Sequence, residues 1–479
     1  LNSFVEQYDP HTIYYNPEAK DRFDVDMSGN YAGIGARLSK KFDKIEVVEV
    51  ISGGPAWRQN LLEVGDIILK VRQNDQDESE STSILGMPIS DAVKLIKGPK
   101  GTNVILTIKK VDGEVVDLKI KRDIVLLEET YVRSSIVSKH ENLYGFINLP
   151  KFYIDFDNST SRDAAKDIKK EIIRLKNLGV KGLVLDLRNN GGGSLKTVVE
   201  MAGLFIQEGP IVQVRSMDKE SQILRDKDRS IIWEGPLVIL VNEFSASASE
   251  ILAAAMQDYK RAIIIGSKQT YGKGTVQNVL DLNRMVKSNT NGDLGALKFT
   301  TQKYYRINGG STQLEGVKSD IVVPNKYTYV DFGEKDQENP LEWDKIDPVS
   351  YEPWKSLFDY NKTIDASKNR MKSSEFISLI DENAKWIKSI RDRNIYTLNY
   401  SKFKKDLLLN EEKAKKYKKL SDYSSDLIFK SLPYEIDLIA KDSSLGEKRK
   451  RWHKNLSKDI YVNESLNVLN DLRLSYVER

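Results

Sequence analysis

The chain has 479 residues, which at about 150 per domain is enough for about three domains with apolar cores of their own. Hydrophobic residues make up 40% and charged residues 30%, a balance that excludes disorder as the general state. The net charge of +4 gives no positive excess of the kind that draws a chain to nucleic acid, and the absence of cysteine removes thiol nucleophiles, disulfides and thiolate metal sites together.

The chain opens with LNSFVEQYDPHT, which has neither the basic front nor the apolar block of a secretory leader. Residues 1–30 start as if in the middle of an element, and Asp9-Pro10 and Asn16-Pro17 break them before a long helix can form. They are expected to be the tail of a helical region that lies further upstream. From Tyr31 to about Arg122, short β-rich runs (YAGIGARL, KIEVVEV, LLEVGDIILKV, TNVILTIKK and EVVDLKIKR) are divided by Gly and Pro, with a turn at Asp112-Gly113. Within them ISDAVKLIKG carries Ile89, Ala92, Val93 and Ile96 at helical spacing, so a compact β-rich domain with two helices is expected over 31–122.

The rhythm changes over residues 123–330. Strands such as YGFINL and KGLVLDLR alternate with helices, and Ala165, Ile168, Ile172 and Leu175 mark one apolar face before Gly179. PLVILVNE reads as a strand buried on both faces, so this region is an α/β core. Residues 331–479 are rich in Lys, Glu, Asp, Tyr and Leu, with solvated runs such as EEKAKKYKKL, and read as a helical domain. The expected fold is therefore α/β and α+β multidomain. No run approaches the about eighteen consecutive apolar residues of a membrane span.

Three stretches could carry chemistry. In VNEFSASASEILAAAMQD, Val241 to Asp258, small residues follow a buried strand and precede a helix. A serine at that junction would stand at the positive helix end, beside free N–H groups able to hold an oxyanion; an ordinary N-cap would explain the same serine. In RAIIIGSKQTYGKGTVQ, glycines flank Lys273 and let the chain wrap closely around one ammonium, although a plain glycine turn reads the same way. A phosphate loop is excluded there, because the gap from Gly266 to Gly272 is one residue too long and Gly274 stands where Ser or Thr should be. In LDLRNNGGGS, a buried strand ends in three glycines, suited to close backbone approach or to a plain loop.

A serine nucleophile needs a base, and histidine is scarce. His11 lies in the fragmentary start, His140 in a turn and His453 in a basic helical tail, and each reads as a surface residue. No metal-ligand spacing joins them, so neither a metal nor a cofactor is expected. Lysine remains, provided burial lowers its pKa from about 10.4 to about 7–8. Lys273 is the best placed; Ser401-Lys-Phe-Lys404 also fits S-x-x-K but lies in a charged helical stretch.

YAGIGARL, SGGPA, VGDIIL, IKGPKGT, DLRNNGGG, FSASASEI, AAAMQDY, YGKGTVQ and YYRINGGSTQLEGVKSDI together resemble the carboxyl-terminal processing peptidases, and in particular their tail-specific branch, over nearly the whole chain. The resemblance implies a PDZ domain in an α/β serine protease core flanked by helical regions, and a serine endopeptidase with a Ser-Lys dyad. Its nucleophile falls on Ser247 and its base on Lys273. Gln277 would hold the lysine, Asp258 would support activity or the order of the site, and the backbone N–H groups of Ala248 and Gly192 would form the oxyanion hole. The loop from Gly266 to Gly272 looks one residue longer than the common family form.

In the PDZ domain, the backbone of Gly33, Ile34, Gly35 and Ala36 would receive a terminal carboxylate, with Leu38, Val93 and Ile96, and the Ile34 side chain as a further candidate, bounding the pocket for the last side chain. Partners implied by the resemblance are proteins with free apolar carboxyl termini and, in some relatives, a lipoprotein adaptor; nucleic acid and an integral membrane segment are not expected. The implied location is the periplasm of a Gram-negative-type bacterium, free or at the inner or outer membrane surface, with a leader either cut away or left out of this sequence. The rival reading is a catalytically silent PDZ-bearing scaffold of the same fold.

Overall fold

The run PLVILV forms a strand, Leu237–Val241, in which every residue is buried, and it lies inside a seven-stranded sheet with a parallel neighbour on each side. The structure, a computed structural model, describes residues 1–475 except 61, 157–161, 218 and 287–291. Across the sheet the order is Ile321–Val322, Ile263–Gly266, Leu237–Val241, Leu183–Asp186, Asn142–Asn148, Arg133–Lys139 and Ile428–Lys430. The first five strands are parallel, and Arg133–Lys139 runs antiparallel to both of its neighbours, so Ile428–Lys430 points the same way as the five. Side chains alternate across it as a two-residue period requires. Leu183, Leu185, Leu237 and Ile239 join Ile168, Ile172, Val198, Leu252 and Met256 in one core, whereas Val184, Val238, Leu240 and Ile265 join Val462, Leu466 and Leu469 in another.

The first core is covered by the helices Ala164–Asn177, Leu195–Ala202 and Ala248–Asp258. The expected face Ala165, Ile168, Ile172 and Leu175 is buried, and Asp163 caps its helix by accepting from the Lys166 N–H. The second core shows why the last 150 residues are more than an appended helical region. Ile428–Lys430 extends the central sheet and the helix Ile460–Leu474 buries Val462, Leu466, Val468, Leu469 and Leu472. The charged Tyr400–Tyr417 helix, by contrast, buries no residue, and both Ser401 and Lys404 are exposed on it.

A second sheet is antiparallel throughout. Ala296–Tyr305 pairs with Ile13–Tyr15, Thr275–Asp281 and Gly209–Arg215, and the last of these pairs with Gln222–Asp226. The opening residues thus supply a strand here as well as helices. Pro17 does not prevent a helix but begins one, Pro17–Ser28, because a first-turn proline lacks only an N–H that has no partner, and the Asn16 side chain accepts from the Ala19 N–H.

The contacts divide the chain into two units: Leu1–Met27 with Tyr131–Ile436 and Arg449–Arg479, and Ser28–Thr130 with Asp437–Lys448. In the smaller unit Ala36–Lys41, Lys44–Val50, Ile67–Gln73, Asn103–Lys109 and Val115–Lys121 form the sheet path, with Thr82–Ser83 beside Ile67–Gln73. Asn30–Gly33 pairs separately with Asp123–Leu126, and helices lie at Pro55–Gln59 and Ile89–Ile96. Ile34, Ile45, Val47, Ile68, Val104, Leu106 and Ile120 make its core. Lys448 pairs with Glu49 at 3.0 Å within the same unit.

Candidate active site

The three serines of FSASASE have different surroundings. Ser245 is buried, donates to the Leu187 carbonyl at 2.8 Å and accepts from the Asn242 N–H at 2.9 Å. Ser249 is buried and donates to the Asn190 carbonyl at 2.8 Å. Both are structural ties. Ser247 is only partly buried, stands at the N-cap of the helix Ala248–Asp258, and has φ 57° and ψ −114°. So strained a backbone at a non-glycine residue, on a sharp strand-to-helix turn, is typical of a presented nucleophile.

The glycine loop approaches that turn closely. A Cβ on Gly192, whose φ is +100°, would lie 2.8 Å from the Ser247 Cβ and 3.1 Å from the Ala248 nitrogen, so only glycine leaves this space open. Fully buried Asn190 sets the approach: its Nδ2 donates to the Leu149 carbonyl at 2.8 Å and its carbonyl accepts from the Ala246 N–H at 3.0 Å. Upstream, Arg188 is held by Asp186 and by Asp459 at 2.8 Å, which ties the loop to the N-cap of the last helix.

Lys273 reaches the same turn through one fully buried carboxylate. Glu250 accepts from the Ser247 N–H at 2.8 Å and the Lys273 N–H at 3.0 Å on one oxygen, and from the Gly272 N–H at 2.7 Å and the Thr270 hydroxyl at 2.6 Å on the other. Burial pushes its pKa up to about 7 against these four donors. The Tyr304 hydroxyl adds a second clasp by donating to the Lys273 carbonyl. Burial also pushes the Lys273 ammonium down to about 8; Lys298 reinforces this, while Glu334, Glu250 and Asp9 oppose it. No hydrogen bond or ion pair joins the Lys273 Nζ to any described residue, so these three carboxylates favour its charged form only from a distance, and burial outweighs them.

Residues 144–323 match the model of peptidase family S41, 23–109 that of the PDZ domain, and 327–473 that of the C-terminal domain of tail specific protease. A carboxy-terminal-processing protease of Bartonella bacilliformis is 36% identical over 338 residues, covering 68% of this chain and 70% of that protein. The chain belongs to peptidase family S41. A tail-specific protease of Haemophilus influenzae is 36% identical over 448 residues, 92% of this chain, and the chain spans 62% of that relative's length. A photosystem II D1 C-terminal processing protease aligns with a TM-score of 0.38 and 26% identity, covering 67% of this chain and 79% of that structure.

Set against the family-based expectations, Ser247, Lys273, Ala248 and Gly192 lie around one turn, but three placements differ in detail. The Gly192 N–H is not free: Asn190 Oδ1 folds back on it at 2.9 Å, whereas the Ala248 N–H opens the helix with no acceptor among the described residues. Gln277 donates to the Thr275 hydroxyl at 2.9 Å and the Thr300 hydroxyl at 3.1 Å, not to Lys273. Asp258 sits at the other end of the serine helix, about 16 Å away at 1.5 Å per residue. There it pairs with Arg306 at 2.6 Å and accepts from Asn308 at 2.9 Å, and burial raises its pKa. These bonds tie it to the segment after Ala296–Tyr305 and leave its expected part in the order of the site untouched.

In the S41 chain's PDZ domain, Gly33 ends a strand, Gly35 has φ +79°, and Ala36 and Leu38 lie on Ala36–Lys41, an edge strand of the sheet. Ile34 and Ile96, expected at the pocket, are 4% and 3% exposed and belong to the core, while Leu38 and Val93 are partly buried. The two isoleucines face inward because the loop and the helix Ile89–Ile96 need an apolar anchor of their own.

Sequence reasoning passed over Glu250, though S-x-x-E from Ser247 to Glu250 is a capping-box spacing that signals it. It also set His11 and His453 aside as surface residues. His11 has a side chain 14% exposed and meets buried Glu334 at 2.8 Å; His453 lies against Trp452 and Phe429. Exposed His140 is a turn residue, as read.

Proposed function

We propose that this chain is a serine endopeptidase in which Ser247 attacks the scissile carbonyl and Lys273 is the general base. The observation that carries the reading is the Glu250 carboxylate, which takes the main-chain N–H groups of both residues at 2.8 and 3.0 Å and so fixes the two ends of the dyad on one anchor. Lys273, neutral above about pH 8, takes the Ser247 hydroxyl proton as the acyl bond forms. The tetrahedral oxyanion turns toward the Ala248 N–H, with the Gly192 N–H as second donor once Asn190 releases it. Lysine then protonates the leaving amine and draws a proton from water for deacylation. The Asn190 side chain engages the Gly192 N–H at 2.9 Å, which supports a resting site in which this donor is freed when substrate binds.

The open edge of Ala36–Lys41, ending in the Gly33–Ala36 loop, supports recognition of an extended peptide by strand addition, with its free carboxylate on the loop N–H groups and an apolar last side chain against Leu38 and Val93. Tail recognition and cutting then need not share a sequence rule. The substrates are proteins with free apolar tails, the location is the periplasm of the bacterial cell envelope, and a lipoprotein adaptor is a partner. No helix among the described residues is long and apolar enough to cross a membrane.

The test is Ser247→Ala beside Lys273→Ala, each assayed for cleavage of an unfolded, apolar-tailed protein and for retention of fold. Both are expected to bind the tail and cleave at less than about a thousandth of the original rate. Full turnover by either folded variant removes that residue from its role, and binding without cleavage by the unaltered chain favours the silent scaffold.

A further inference from the structure

We propose that the opening segment Asp9–Thr12 is a positioning element of the dyad site, with Asp9 orienting Gln277 and His11 holding the lysine loop. The proposal rests on the Ser247–Lys273 reading. Asp9 is 7% exposed and accepts from the His11 N–H at 2.8 Å, the Thr12 hydroxyl at 2.5 Å and the Thr300 hydroxyl at 2.9 Å. A threonine hydroxyl has one hydrogen. Because Thr300 gives it to Asp9, its oxygen can only accept from Gln277, and the Gln277 amide must present Nε2, which it does at 3.1 Å. The same Nε2 donates to Thr275 at 2.9 Å. Asp9 therefore sets which way round the Gln277 amide stands, and with it which side faces away from the two threonines.

The second arm runs through His11. Its Nε2 lies 2.9 and 2.8 Å from the two oxygens of Glu334, which is fully buried, so this nitrogen carries the hydrogen. Glu334 Oε1 also accepts from Gln313 Nε2 at 3.1 Å, and Gln313 Oε1 accepts from the Gly274 N–H, next to Lys273, at 2.7 Å. The Glu334 N–H donates to the Tyr271 carbonyl at 2.9 Å. The His11–Glu334 pair thus grips the lysine loop on both sides of Lys273. It does so across 323 residues of sequence, and a buried carboxylate left with one amide donor would be under-satisfied. The strand Ile13–Tyr15 is separately anchored to Ala296–Tyr305, so the segment stays docked when these side chains are changed.

The experiment measures kcat, KM and the melting temperature of the full chain on an unfolded apolar-tailed protein for His11→Ala, His11→Gln and Asp9→Asn, with Ser247→Ala as control. His11→Ala is expected to lower kcat about 10- to 100-fold with KM within about threefold, the usual effect of a small misplacement of a reacting group. His11→Gln, whose Nε2 reaches as far as that of histidine, is expected to recover most of the loss. Asp9→Asn, which is isosteric, is expected to lower kcat about fivefold or more. A His11→Ala kcat within twofold of the original, no rescue by glutamine, or a loss that tracks melting temperature overturns the His11 arm; an unchanged kcat in Asp9→Asn overturns the other. An original chain that does not cleave, or a Ser247→Ala that cleaves as well as it does, fails the dyad reading itself and takes this proposal with it.

Discussion

In the protease unit a buried carboxyl group, Glu250, gathers hydrogen-bond donors, whereas in the PDZ unit a buried cation, Arg122, gathers acceptors. Glu250 is fully buried and takes N–H groups from Ser247, Gly272 and Lys273. Arg122 is 2% exposed and donates to the carbonyls of Leu95, Ile96 and Asn103, to Gln73 Oε1 and to the Thr102 hydroxyl, at 2.7 to 3.3 Å. Each satisfies backbone groups that secondary structure leaves over: helix-start and loop N–H groups in one unit, helix-end carbonyls in the other. The difference lies in what the anchored element does. Glu250 fixes two residues relative to each other, which chemistry needs, while Arg122 fixes the end of the helix Ile89–Ile96, which a binding groove needs.

The comparison breaks most visibly at Glu250. Glu250→Ala leaves four donors without their acceptor, and we expect a loss of about 3–5 kcal/mol in stability. Turnover should fall at least about a thousandfold even in the fraction that folds, because the dyad loses its common anchor. Urea unfolding and turnover measured together check this; a folded variant within tenfold of the original rate would reduce the hub to a structural role. Next in size is the pH dependence. The base proposed for Lys273 takes a proton only when neutral, and burial pushes its pKa down to about 8, so kcat/KM should fall about tenfold for each unit below that value. Lys298 helps to depress it, so Lys298→Met should move this limb to higher pH. Arg122→Met should then weaken binding of an apolar-tailed peptide about tenfold, read by calorimetric titration, while leaving cleavage of a short untailed peptide unchanged. A matching loss of cleavage would show that Arg122 serves more than the groove.

What was legible in the sequence follows from how local each signal is. PLVILV, KGLVLDLR and the Ala165–Leu175 face carry their periodicity within a few residues, and their strands and helix form where that pattern puts them. The Ser247 turn was legible because small residues and a helix start adjoin it. The bonds that make a site of it were not. His11 to Glu334 and Asp9 to Thr300 span 323 and 291 residues, and no composition or period reports such a pair. The opening segment reads as a fragment because Asp9-Pro10 and Asn16-Pro17 look like breaks; in the structure Pro17 starts a helix through a local cap, and Ile13–Tyr15 enters a sheet whose partner strand lies far along the chain. Ile34 and Ile96 show the same limit at short range, since the family resemblance implied a pocket role for them without telling the core side from the groove side.

The smallest expected effect is also the one that most directly separates a lysine held for chemistry from one held for structure. A partly buried amine whose pKa is depressed to about 8 destabilises the fold wherever the unfolded chain would keep it protonated. Between about pH 8 and 10.4 the unfolded state binds more protons than the folded one, so stability rises with pH through that window, and the full penalty is present below pH 8. Replacing Lys273 by methionine removes the amine and keeps the apolar stem. We therefore expect Lys273→Met, while inactive, to be more stable by about 1–3 kcal/mol at pH 7, the gain shrinking toward zero by about pH 10. Paired denaturation curves at the two pH values check it. A variant less stable at pH 7 would mean that the ammonium contributes to the fold, and that the low pKa needed for a general base is absent.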